Sequence, residues 1–257
     1  MTWIAMLVLV AGAGIGAVAL AASLGVWLGA WDFRRGFALL QFANTHADWI
    51  AIAGAVSTAV IAVSGIALGA ANTLRVTGVA LVGTLAAALA YYVPESYRPL
   101  EGTPPIHDVS TDTVNPPEYV AVLPLRADAP NTTVYGGSPG MTHERLAELQ
   151  TEAYPDLTTR TFDEPPEQVF ARALAAVETL GWELVAAVPE EGRIEATDTT
   201  FWFRFKDDVV IRIRPAAGGT AVDGRSVSRV GGGDAGTNAR RLRAFFAELS
   251  PTPSTTR

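Results

Sequence analysis

The chain has 257 residues, and 49% of them are apolar, which is a high fraction for a soluble protein. It contains no cysteine, which excludes disulfides, thiol catalysis, iron–sulfur clusters and thiolate-bound zinc. The formal net charge is −7. Only three of the 19 basic residues and two of the 26 acidic residues lie before Pro94, so the charge is concentrated in the rest of the chain. That acidic part lacks the basic face needed for general nucleic-acid binding, so no nucleic-acid partner is expected.

Three apolar segments precede Pro94, and each is long enough to cross a bilayer. They are Trp3–Trp31, Trp49–Ala71 and Val76–Val93. The first lacks the basic start of a signal peptide and is too long for its apolar core, which indicates a retained anchor. Residues 1–93 are therefore predicted to form a three-helix membrane anchor that contacts the lipid bilayer through residues 3–31, 49–71 and 76–93.

The composition of these segments favours helix packing over transport. No charged residue lies inside any span, so a proton relay or ion pathway has little support. Glycines four residues apart allow helices to approach closely, and they occur at Gly12/Gly16, Gly25/Gly29 and Gly65/Gly69.

A proline-rich connector over 94–105 is followed by a soluble domain over 106–250 and a disordered tail over 251–257. The domain begins with His107, Asp108, Asp112 and Asn115, which lie within a few residues of one another. Imidazole and carboxylate groups suit a metal site or acid–base chemistry. The same residue types before proline also form turns, and no second histidine stands at helical spacing. We assign no metal or other cofactor.

The rest of the domain shows alternating helix and strand patterns. Leu123–Tyr154 is predicted as a long loop with a short helix near Thr142–Gln150, and Glu167–Leu180 as a helix that begins after two prolines and ends before Gly181. Strands are predicted at Trp182–Val188, Arg193–Thr199, Thr200–Phe205, Val209–Arg214 and Thr220–Val230.

This order of elements predicts an α+β domain. An antiparallel sheet carries helices on one face in a helix-grip-like arrangement. Apolar residues alternate with Arg212 and Arg214, so the other face is expected to be solvated. That face carries arginines and acids, which either pair with each other or form a binding surface. The arginines are Arg204, Arg212, Arg214 and Arg225, and the acids are Glu195, Asp198 and Asp223.

The stretch Val222–Leu249 reads as a strand, a glycine turn and a helix. Leu242, Phe245, Phe246 and Leu249 recur at the spacing of an amphipathic helix. The turn at Gly231–Gly233 allows two readings. One is an anion cradle closed by Arg225, Arg229, Arg240 and Arg241. The other is a structural turn in which Asp234 or Thr237 caps the helix. No phosphate-loop or dinucleotide fingerprint surrounds it.

Four motifs in sequence resemble a known bacterial family. They are DVSTDTVNPPEY after Pro104-Pro105-Ile106-His107, AYPDL at Ala153–Leu157, DDVVIRI at Asp207–Ile213, and RSVSRVG followed by the helix NARRLRAF. Together they resemble the domain of unknown function 1499, over roughly Pro104–Leu249. LGAWDFRRGF at Leu28–Phe37 is similar to a run found in members with three apolar segments. This chain departs from the family pattern at Gly224, Gly232 and Gly233. If an anion cradle needs a basic side chain at these positions, the glycines argue against it.

The resemblance bears on location as well. Three spans place the Asp32–Asp48 connection and the domain on one side of the membrane, and the few flanking charges lean toward a cytoplasmic domain. Members of the family commonly carry a more basic second connection, which implies an extracytoplasmic domain. We therefore expect an integral protein of the bacterial plasma membrane whose soluble domain is periplasmic or extracytoplasmic.

Two functions stay open, beside a third in which the corner from Gly231 to Arg241 recognises an anionic ligand. Serine hydrolase chemistry is the weakest option, because Ser226 and Ser228 lie in a predicted strand. The first function is a non-enzymatic envelope module that binds a protein, glycan or lipid through its sheet face or long loop. The second is a metal- or anion-dependent hydrolase that uses His107, Asp108 and Asp112 beside Arg225 and Arg229. No catalytic residue is assigned. The candidate ligand-binding residues are His107, Asp108, Asp112, Asn115, Arg225, Ser226, Ser228, Arg229, Asp234, Asn238 and Arg241.

Overall fold

The computed structural model describes residues 1–250, and the tail expected at 251–257 lies outside the described residues. The chain divides into two compact units. One consists of Met1–Arg98 with Trp202–Arg204, and the other of Pro99–Phe201 and the described residues from Phe205 onward.

The first unit contains three helices, α1 (Thr2–Trp27), α2 (Phe33–Ala67) and α3 (Thr73–Glu95). All three are long and apolar enough to cross a membrane. The main difference from the sequence prediction is at α2, because Asp32–Asp48 was expected to be a connection outside the helix. The Asp32 carboxylate accepts the backbone N–H of Arg35 at 2.9 Å and starts the helix there. At about 1.5 Å per residue, the 35-residue α2 measures roughly 52 Å, well beyond the hydrocarbon thickness of about 30 Å.

Small residues allow the three helices to pack closely. A Cβ on Gly12 would lie 1.9 Å from the carbonyl oxygen of Gly83, and a Cβ on Gly83 would lie 2.3 Å from that of Val8. Only glycine permits this approach of α1 and α3. Buried Thr58 and Thr84 join α2 to α3 through a 3.2 Å hydrogen bond between their hydroxyls.

The second unit is built on one antiparallel six-stranded sheet. Its strands are β1 (Asp108–Ser110), β2 (Arg160–Phe162), β3 (Glu183–Val188), β4 (Arg193–Thr199), β5 (Lys206–Ala216) and β6 (Gly219–Ser228). The order is β1-β6-β5-β4-β3, and β2 pairs with β6 beside β1. Strands β3 to β6 therefore form a meander, and two short strands share the outer edge of β6.

Three helices accompany this sheet, α4 (His143–Ala153), α5 (Pro166–Thr179) and α6 (Thr237–Leu249). Apolar residues of α5 and α6 pack on the same sheet face and form the main core with Ile194, Val209, Ile211, Ile213 and Val222. The α+β class with helices on one face is confirmed, as is the helix predicted at Glu167–Leu180. Trp182 stacks on Phe245 with ring centroids 5.9 Å apart, which joins the start of β3 to α6.

The opposite sheet face differs from the prediction, which left it to solvent. Tyr119 and Val122 cover it and form a second core with Val210 and Val227. The chain around Tyr119 and Val122 thus covers this face, and polar groups on it, such as Glu195 and Asp208, are buried.

Two local predictions are also wrong, and one strand was missed. Thr200–Phe205 is the loop between β4 and β5, closed by the Thr200 N–H donating to the Phe205 carbonyl at 2.8 Å. Asp108–Ser110, expected as a turn or ligand patch, is a strand. Arg160–Phe162 forms a further strand that was not predicted.

Candidate functional site

A cavity of about 340 Å³ lies in the second unit, where segment 105–108 meets the loop 130–141. Its polar lining includes His107, Asn131, Thr132 and Ser138, and its apolar lining includes Val134 and Met141. Gly232 of the glycine turn borders the same space. This volume falls in the range of small-molecule sites, and the lining mixes apolar surface with a few polar groups, as such sites do.

Arg225 joins three segments around this cavity. Its Nε and Nη2 donate to the two carboxylate oxygens of Asp108 at 2.9 and 2.7 Å. The same guanidinium donates to the carbonyls of Pro117, at 3.1 Å, and Thr133, at 2.6 Å. Burial alone would lower the pKa of Arg225, but the Asp108 carboxylate outweighs it and raises that pKa. The charged pair therefore fixes β1, the 117 region and the cavity loop relative to β6.

The segment that carries His107 is held by β6 and α6. The His107 carbonyl accepts the Ser228 N–H at 2.9 Å and the Asn238 side-chain amide at 2.9 Å. The Asn238 amide also reaches the Ser228 hydroxyl, and its oxygen accepts the Ser226 hydroxyl proton at 2.6 Å. Ser226, Ser228 and Asn238 are buried, so these candidate residues support the cavity wall from behind.

Asp234 stabilises the start of α6. Its carboxylate accepts the backbone N–H groups of Gly236, at 2.8 Å, and Asn238, at 2.6 Å. The residue in the cap position is Gly236, with a φ of 75°, rather than Asp234 or Thr237 as expected. Burial raises the pKa of Asp234, and the two backbone N–H groups act in the opposite direction.

The four arginines expected to close an anion cradle do not converge on the glycine turn. Arg229 donates to both oxygens of Asp208, and Arg241 forms ion pairs with Asp207 at 2.6 Å and Asp198 at 2.8 Å. Arg240 donates to the Ala235 carbonyl, and Arg225 is paired with Asp108. Each guanidinium already has an acceptor within the protein, which favours the structural reading of this turn.

Asp112 and Asn115 lie away from His107 in a separate network. One Asp112 oxygen accepts the backbone N–H groups of Val114 and Asn115, which is the local turn bonding that the sequence allowed. The other oxygen pairs with Arg212 at 2.9 Å. Arg212 and Arg214 also pair with buried Asp223, as the ion-pair reading of this sheet face predicted.

A third network lies under the covering segment. Buried Asp208 accepts from Arg126 at 2.5 Å, from Arg229 and from Thr197. Burial raises the pKa of Asp208, but these hydrogen bonds outweigh burial and leave it below its usual range. Glu195 pairs with Arg193, which was not among the arginines predicted to pair with it. Its carboxylate also accepts the backbone N–H groups of Val120, Ala121 and Val122.

The long loop over Leu123–Tyr154 was expected as a candidate binding surface, but its residues Asn131 and Ser138 were not among the predicted site residues. The Ser138 hydroxyl lies 3.3 Å from His107 Nε2, and Asn131 donates to the Ser228 and Gly231 carbonyls. One signal was present in the sequence, because Gly136-Gly137-Ser138-Pro139-Gly140 fits the pattern Gly-x-Ser-x-Gly. The proximity of Ser138 to His107, 31 positions apart, was not visible.

Comparison with protein families identifies the soluble part of the chain. Residues 108–249 match the family described as "Protein of unknown function (DUF1499)". This match covers more than half of the chain, so the chain belongs to that family. No curated protein matches the chain.

Proposed function

We propose that this member of the domain of unknown function 1499 family is a membrane-anchored binding module that holds a small ligand in the cavity beside His107. The cavity, with walls tied together by buried Arg225, is the observation that carries the proposal. A preformed concave site with convergent polar groups is the usual form of a ligand site.

Binding in this cavity is favoured over a hydrolase built from Asp108 and Asp112 with the nearby arginines. Asp108 is neutralised by Arg225, and Asp112 by Arg212. Arg229 belongs to the separate Asp208 network. A general base needs hydrogen-bond access to its substrate, and these carboxylates already accept from protein donors. The cavity is the proposed contact surface for a small ligand, and the exposed parts of the domain remain available to a protein partner.

We also propose that the three helices of the first unit lie in a bacterial plasma membrane and contact lipid, with residues 1–93 as anchor and 94–105 as connector to the domain over 106–250. The length and hydropathy of the helices support this. The domain is proposed to be extracytoplasmic, at the cell envelope, because members of the family that the chain resembles commonly carry a more basic second connection between their apolar segments.

Filling the cavity tests the binding function. Gly232 borders the cavity, and a Cβ there meets no atom within 4 Å, so the side chain of Gly232→Trp starts at the cavity edge without a clash of its Cβ. Ala217→Trp, in the exposed turn between β5 and β6, is the matched control. Full-length protein in detergent micelles is titrated with a set of neutral small-molecule fragments, and binding is followed by the thermal midpoint.

Fragments that stabilise the wild type and Ala217→Trp, but not Gly232→Trp, are the expected result. Saturable binding raises stability by mass action, so the midpoint rises with fragment concentration. A shift that persists in Gly232→Trp would place binding elsewhere, and no shift with any fragment would contradict the proposal.

A further inference from the structure

The cavity contains a serine and a histidine in hydrogen-bond reach of each other. Ser138 Oγ lies 3.3 Å from His107 Nε2, and both residues are half-buried in the cavity lining. We infer that Ser138 is a nucleophile that His107 activates toward uncharged carboxylic esters. This inference rests on the proposed function, since the ester must enter the same cavity.

The two groups are supported independently. The His107 main chain is fixed by Ser228 and Asn238, as described above. The Ser138 loop packs against the start of α4, where a Cβ on Gly136 would lie 2.3 Å from the His143 nitrogen. Gly136 and Gly140 have φ values of 71° and 78°, which a glycine adopts without strain. Groups held from separate elements keep a reactive geometry without further ordering.

The charge of the lining selects the substrate class. Asp108 is the one acidic side chain among the lining residues, and both its oxygens bind Arg225. A charged ester would lose water without gaining an opposite charge, which is costly. Ile106, Val134, Met141 and Leu146 offer apolar contact instead. A neutral ester of a small acid matches this surface.

The reaction is acyl transfer to Ser138 followed by hydrolysis. His107 Nε2 takes the hydroxyl proton while Oγ attacks the ester carbonyl carbon, and the bond to the alkoxy oxygen breaks. The departing alcohol receives that proton from His107. Water, deprotonated by His107, then attacks the acyl-serine, releases the carboxylic acid and returns the Ser138 hydroxyl.

The backbone N–H groups of Ser138 and Gly140 are the candidates for stabilising the developing oxyanion, because Pro139, which follows the nucleophile, has no N–H. Within residues 1–250, the N–H groups of Ser138 and Gly140 donate to no protein acceptor. Both residues line the cavity. Backbone donors placed at the developing negative charge are the usual stabilisers of acyl-transfer transition states.

Covalent labelling tests this inference. Full-length protein in detergent micelles is treated with an uncharged alkyl fluorophosphonate, which transfers its phosphonyl group to a reactive serine and releases fluoride. Intact mass and peptide mapping are expected to show one adduct, on Ser138. Ser138→Ala should remain unlabelled, and Ser250→Ala, which removes an exposed serine outside the cavity, should label like the wild type.

A second variant separates activation from simple exposure. His107→Gln keeps a polar side chain but no general base, and should slow labelling and p-nitrophenyl acetate hydrolysis by about 100-fold or more. Equal rates in His107→Gln and the wild type would overturn the role of His107, and labelling that survives Ser138→Ala would overturn that of Ser138. A wild type that is not labelled, but still binds neutral fragments in a way that Gly232→Trp abolishes, would overturn the nucleophilic role of Ser138 and leave the binding function intact.

Discussion

Replacing Asp108 with alanine is expected to destabilise the soluble unit far more than removing an exposed carboxylate of the same geometry. Asp108 and Arg225 are bound through two parallel hydrogen bonds, with side chains 6% and 3% exposed. Asp156 and Arg243 are bound in the same two-point manner at 2.7 and 2.6 Å, but are 49% and 41% exposed. Burial is thus the main difference between the pairs.

The magnitudes follow from solvation. Removing one partner of a buried pair leaves an uncompensated charge and costs about 3–5 kcal/mol. An exposed pair is screened by water and contributes about 0.2–1 kcal/mol. For a domain of this size, 1 kcal/mol shifts the thermal midpoint by roughly 2–4 °C, so Asp108→Ala should lose roughly 6–20 °C and Asp156→Ala less than about 4 °C.

The assay is thermal unfolding of the full-length variants in identical micelles, followed by near-ultraviolet circular dichroism. Arg225→Ala provides a second test, because it leaves the Asp108 carboxylate buried and unpaired. Midpoints that fall equally in Asp108→Ala and Asp156→Ala would refute the argument that buried Arg225 holds the cavity walls.

Three further predictions concern other parts of the chain. The pKa of Asp208 in the folded protein lies below its usual range, so the ionised carboxylate stabilises the fold at pH values above its unfolded-state pKa of about 4. This stability is lost as pH falls through the lower folded pKa. Asp208→Asn should therefore make the thermal midpoint fall less steeply with decreasing pH in the acid range. In the helical unit, Gly83→Ala should loosen packing and speed proteolysis, because its Cβ would meet a backbone oxygen at 2.3 Å, whereas Gly78→Ala, which meets nothing within 4 Å, should not. Ser250→Cys gives the chain a single cysteine, and a membrane-impermeant maleimide should label it on the extracytoplasmic side; labelling only after the membrane is opened would place the domain in the cytoplasm.

The regular elements were visible in the sequence because their causes are local. Val169, Ala173 and Val177 recur at helical spacing, and Pro166 begins α5. The alternation of Val209, Ile211 and Ile213 with arginines identified β5. These residues of β5 and the apolar residues of α5 both face the main core. Strands β1 and β2 have three residues each, too few for a periodic pattern, and exist because β6 offers an edge.

The start of α2 shows a different limit. Charged and polar residues over 32–48 lower the hydropathy and suggested a connection, yet Asp32 caps a helix that continues into the apolar span. Hydropathy predicts where a bilayer can be crossed and not where a helix begins.

The candidate site could be predicted only in part, because its pairs join distant positions. His107 and Asp108 were selected for their chemistry, but the partner of Asp108 is 117 positions away. The loop 130–141 became part of the site only through packing, as its contact between Asn131 and Gly231 shows. Several arginines form ion pairs rather than an anion site, which is one of the two alternatives that the sequence left open.

The most direct test of the binding function is a crystal structure of the full-length protein with the fragment that stabilises it most. Fragment density is expected between His107, Ser138 and Gly232, within hydrogen-bond distance of the histidine or serine side chain. Density confined to another surface, such as the groove lined by Trp182, Asp198 and Arg241, with the His107 cavity empty, would contradict it.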